Sequence, residues 1–166
     1  MPIIRQTPDF HSLNPDGHAT ERRDDASLAY QVAIEVAAPP ERVMQVLTKA
    51  TDFPRWNSTI LRFEGEIALG RKVKLVSTVA PKRAFSVKVS TLSADAMTWE
   101  DGMPFGLFRG VRSFRATKTP KGTTVFAMSE VFSGRMLKMI AKSLPDQRAT
   151  FESFARDLKT EAERST

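Results

Sequence analysis

Between positions 60 and 132 the chain offers five or six strand-like stretches separated by turns of only a few residues, and this spacing restricts the fold most. The stretches run over 60–69, 72–79, 84–92, 96–101, 108–118 and 123–132, with "ALGRK", "APKRA", "LSADA" and "KTPKGT" as turns. A parallel crossover needs about a dozen residues or more, so consecutive strands must pair antiparallel.

The flanks complete the order. Upstream, "LAYQVAIEVA" alternates, with Tyr30, Val32, Ile34 and Val36 on one face and Gln31 and Glu35 on the other, as in a half-buried strand. "APPERVMQVLTKA" then opens with proline and repeats Val43, Val46 and Leu47 at helical spacing. "TDFPRWNS" predicts a second short helix with Asp52 as N-cap and Phe53 and Trp56 three apart. Downstream, positions 134–163 predict a long helical region that Pro145 kinks or restarts, with Phe151, Phe154, Ala155 and Leu158 as its apolar stripe. A long sheet must bury one face, and the terminal helix is the one large element that can cover it. The fold class is therefore α+β, an antiparallel sheet curled around a C-terminal helix.

Positions 1–27 lack apolar periodicity and are rich in Pro, Asp, Asn and Gly, which predicts an extended or partly disordered lead-in ahead of a single domain over 28–166. The lead-in carries three Arg against five acids, and the rest of the chain 22 basic residues against 14 acidic. A basic body of this kind attracts nucleic acid, anionic lipid or an acidic ligand, or is simply a well-solvated surface. There is no helix-turn-helix, ribonucleoprotein motif or phosphate loop, so no nucleic-acid partner is expected. No apolar run approaches the about 18 residues of a spanning helix. The first residues show no signal-peptide pattern, which makes the cytoplasm the expected compartment.

The chain has no cysteine, and both histidines, His11 and His18, fall in the lead-in. Thiolate metal sites, serine–histidine triads and His-ligated metals are thus not expected in the body, and neither is a metal or other cofactor.

The stretches "IEVAAPPERVMQVLTKATDFPRWNS", "GRKV", "LFRGVRSFRATKTPKGTTVFAMSEVFSG" and "SLPDQRATFESFARDLKTEAE" resemble the polyketide cyclase/dehydrase branch of the START-like, helix-grip superfamily (SRPBCC). The resemblance covers about 28–163 and rests on hydrophobics and punctuation more than on chemistry. It implies a seven-stranded sheet around the C-terminal helix, with a deep cavity between them for lipids, sterols, polyketides, hormones or quinones. Some members are cyclases or aromatases, others transport a ligand or bind a protein partner.

One residue is out of pattern. In "TVFAMSEVFSG" the face of Phe126, Met128 and Phe132 also carries Glu130. A last hairpin turning at "TPKG" sets Phe114 near Phe126 and Arg112 opposite Met128, one diagonal step from Glu130. Such a pair either satisfies itself at a cavity mouth or orients the polar end of a ligand. The expected ligand-binding residues are Trp56, Trp99, Phe105, Arg112, Phe114, Phe126, Met128, Glu130, Met136 and Ile140. Trp56 is expected either to cap the cavity entrance or to anchor the short helices, with Asn57 as an amide for the ligand. Met103, Phe105 and Leu107 make the connection at 101–110 a lid or a core cover. Arg135, Lys138 and Lys142 line one side of the final helix, which meets anionic lipid or water.

These residues support three readings. The first is a binding module for a hydrophobic or amphipathic small molecule, without covalent chemistry. The second is a cyclase/dehydrase-type enzyme, with Glu130 as general base and Arg112 steadying an enolate. The third is a co-chaperone-like module that docks a protein through the lid loop. Oligomeric state is not encoded in any of them.

Overall fold

The computed structural model describes residues 10–164. Eight strands form one antiparallel sheet, in the order β1-β2-β8-β7-β6-β5-β4-β3. They are β1 (Thr20–Arg23), β2 (Ser27–Val36), β3 (Ile60–Glu64), β4 (Lys72–Ser77), β5 (Ala84–Leu92), β6 (Ala96–Met103), β7 (Phe108–Lys118) and β8 (Thr124–Ser133). Helices α1 (Pro40–Thr48) and α2 (Phe53–Trp56) join β2 to β3, and α3 (Leu137–Ala141) and α4 (Arg148–Glu163) follow β8. β2 returns beside β8, pairing Leu28 with Phe132 and Ile34 with Phe126, so the sheet's two chain ends meet.

The core lies between the sheet and α4. Phe151, Phe154, Ala155, Leu158 and Ala162 are the helix's buried stripe, and Val32, Met97, Phe114, Phe126 and Met128 meet it from the sheet. Phe53 and Trp56 of α2 complete an aromatic cluster with Phe154. Asp52 does not cap α2 with its side chain; the carboxylate pairs with Lys49 and Arg55 instead. Pro145 separates two helices, as expected: α3 is one short turn and a half, and only α4 spans the sheet.

The expected seven strands become eight because the lead-in docks. The Gly17 N–H donates to the Ala33 carbonyl at 2.8 Å, the Glu35 N–H donates to the Pro15 carbonyl, and β1 pairs along β2 from Thr20↔Gln31 to Arg23↔Leu28. The Ala19 N–H donates to Glu152 Oε1 on α4. Backbone hydrogen bonds carry this strand, and its side chains remain largely exposed. The part of the lead-in before residue 10 lies outside the described residues. Deleting residues 1–26 is accordingly expected to lower stability by about 1–2 kcal/mol, from several lost hydrogen bonds at about 0.5–1.5 each. Urea unfolding of the truncated chain checks this, and an unchanged midpoint would show that β1 adds nothing.

The polar-lined cavity

The β7–β8 register is shifted by two residues from the expected one. Arg112 lies directly opposite Glu130, Phe114 opposite Met128 and Ala116 opposite Phe126. The cause is the turn. Thr119 and Thr123 close it, through an N–H to carbonyl bond of 2.9 Å and a hydroxyl pair at 2.7 Å, around Pro120, Lys121 and Gly122. Its centre thus falls one residue later than expected, and a two-residue slip keeps every side chain on its face.

Arg112 donates from both Nε (3.2 Å) and Nη2 (2.6 Å) to Glu130 Oε2, while Oε1 accepts no bond from a described residue. The guanidinium also stacks over the Phe151 ring at 5.1 Å to its centroid. Their side chains are 18% and 15% exposed, respectively, open enough to meet a ligand and closed enough to need each other. Across the sheet they form one row with Trp99 on β6 and Tyr30 on β2. Burial, and after it the Glu21 carboxylate, holds the Tyr30 phenol above its ordinary pKa, so it stays neutral.

Trp99, Arg112 and Glu130 of this row border a cavity of about 610 Å³. Ile60, Leu75, Val87, Phe85, Phe108 and Phe132 give it apolar walls, and Ile140 of α3 covers it with Leu144 and Pro145 beyond the helix end. Four of the expected ligand residues line it: Trp99, Arg112, Glu130 and Ile140. The others do not. Phe114, Phe126 and Met128 are fully buried beneath α4, and Trp56 packs edge-on against Phe154 as an anchor. Phe105 points away into solvent, and Met136 sits at the start of α3 outside the lining. Asn57 is tied to its own turn, its Oδ1 accepting from the Thr59 N–H and hydroxyl.

Two charged residues of the lining were not expected, Asp101 and Arg83. Asp101 continues the alternation of Met97 and Trp99 on β6, the signal that would have placed it inward. Its carboxyl is pushed up to about 6, by burial first and by the Glu130 carboxylate second, against the pull of Arg112 and Arg83. Gly110, opposite it on β7, makes the room: a Cβ there would come 2.6 Å from Asp101 Oδ1. Arg83, at the mouth, stacks on Phe85 and makes no ion pair with a described residue. The indole N–H of Trp99 is buried without a hydrogen-bond partner.

Residues 27–163 match the family described as "Polyketide cyclase / dehydrase and lipid transport". The chain belongs to that family. Solved structures share its START-like, helix-grip architecture at low identity. The Zhui aromatase/cyclase of a Streptomyces species matches with a TM-score of 0.67 at 15% identity, over 83% of this chain and 94% of that one. Norcoclaurine synthase of Thalictrum flavum gives 0.65 at 12%, over 87% and 99%. A START superfamily protein of Mycobacterium smegmatis gives 0.60 at 16%, over 81% and 97%. At these identities the likeness is one of fold. A search of curated proteins found no match.

No helix among the described residues is long and apolar enough to cross a membrane.

Proposed function

We propose that the chain binds an amphipathic small molecule of lipid, polyketide or quinone-like character, in the cytoplasm, without covalent chemistry of its own. The observation that carries this reading is the placement of Asp101, Arg112 and Glu130 together on the wall of a largely apolar cavity. An apolar body would fill the space, and a polar end would meet the free oxygen of Glu130, the Asp101 carboxyl and the Trp99 N–H. Native mass spectrometry of freshly purified protein tests it: a co-purifying mass of a few hundred daltons is expected. A chain that carries no such mass, and whose tryptophan emission no long-chain acid or polycyclic phenol changes saturably, would refute the reading.

A cyclase/dehydrase-type reaction is the second reading, and one observation favours it with a different residue. Glu130 is engaged by Arg112, whereas Asp101 sits in the same cavity with a carboxyl that burial pushes up to about 6. Asp101, not Glu130, is then the group suited to move a proton.

Asp101 also makes the fold pH-sensitive. Its folded value of about 6 lies above the 3.8 of a free Asp. It therefore contributes stability that is fully present below the free value and lost as the pH rises through the folded one. Asp101→Asn is expected to stabilise the protein by about 1–2 kcal/mol at pH 7, allowing for solvent at the cavity mouth, and hardly at all at pH 4. Urea unfolding at both pH values measures this. No gain at either pH would place the carboxyl in water, and an equal gain at both would mean that its charge is not the cause.

A further inference from the structure

The connection between β6 and β7 carries a feature that the cavity does not explain. Phe105 is 87% exposed and holds left-handed backbone, φ 62° and ψ 25°. That conformation disfavours a bulky side chain, and the ring stays largely uncovered by the described residues. Met103, two residues earlier, is 46% exposed, and Met139 on α3 is 62% exposed. These three belong to one tip. The start of α3 is tied to the loop, with the Met136 N–H donating to the Leu107 carbonyl at 2.9 Å and Arg135 Nη2 donating to the Phe105 carbonyl at 3.0 Å. Met139 follows within one turn, its own N–H donating to the Met136 carbonyl.

The surroundings of the tip are basic. Arg135, Lys138 and Lys142 are exposed, and none makes an ion pair with a described residue. From 103 to 143 Glu130 is the sole acid, and Arg112 already neutralises it inside the cavity. The tip also borders the cavity opening, since Met103, Phe108, Ile140 and Ser143 all line the cavity.

We infer that this tip docks on the surface of an anionic lipid bilayer. Phe105, Met103 and Met139 enter the boundary between headgroups and acyl chains, and Arg135, Lys138 and Lys142 face the acidic headgroups. Docking in this pose turns the cavity opening toward the lipid. The inference stands on the tip and its charges and does not depend on what the cavity holds.

Co-sedimentation of the full chain with vesicles tests it, using phosphatidylcholine alone or mixed with phosphatidylserine. Preferential binding to the anionic vesicles is expected, weakened by salt. Phe105→Asn should reduce that binding about tenfold, from the lost burial of one ring. Asn suits the left-handed backbone, so the thermal midpoint should hold or rise and the loss is not one of folding. The double change Lys138→Glu with Lys142→Glu should reduce binding at least about tenfold. Equal binding to both vesicle types, or unaltered binding by either variant, overturns the inference. So does a concentration-dependent dimer that Phe105→Asn abolishes, because the tip would then meet a second copy of the chain.

Discussion

Arg112→Met is expected to cost about 2–3 kcal/mol, and adding Glu130→Gln should return more than half of the loss. The single change leaves a carboxylate on a wall shared with Phe132 and Phe108, without the guanidinium that gives it two hydrogen bonds. It also removes the stack on Phe151. The figure lies below that of a fully sealed pair because both side chains keep a little exposure toward the cavity. In the double variant neither member of the pair is left as an unpartnered charge, and the Met side chain still packs on Phe151. Urea unfolding of the wild type, both single variants and the double variant gives the coupling directly. If the single effects simply add, the two groups are independent and the polar row is no unit. The double variant should also keep its affinity for purely apolar probes while losing discrimination among polar ends.

The largest loss is expected from Phe154→Ala, about 4 kcal/mol. Phe154 is 1% exposed and contacts four other rings: Phe53, Trp56, Phe114 and Phe126, with centroids 5.9–6.4 Å away. No single neighbour can collapse into the space it leaves, because those rings belong to α2, β7 and β8 and are themselves fixed by the sheet. For a chain of this size the thermal midpoint should fall by about 8–16 °C. A loss under about 1 kcal/mol would mean that α4 is held by its ends, not by its centre.

The curled antiparallel sheet around a terminal helix was legible in the sequence because both of its causes are local. Side chains alternate with period 2 along β2, β7 and β8, and turns of a few residues allow only antiparallel neighbours. The same alternation put Arg112 and Glu130 on the inner face, and a register error of two residues left that face unchanged. The eighth strand was not legible. "TERR" has no apolar alternation, and its pairing with β2 rests on backbone groups that every sequence possesses.

The tertiary structure alone decided which inward residues border a cavity. Period 2 assigns a face, but it says nothing of position along the strand relative to whatever covers it. Phe114, Phe126 and Met128 lie where α4 presses on the sheet and became core. Trp99, Asp101, Arg112 and Glu130 lie on the same face further along, where Pro145 has ended one helix and the short α3 leaves the sheet incompletely covered. Depth under a covering helix is set by contacts between residues far apart in the chain, and a local pattern carries no record of them.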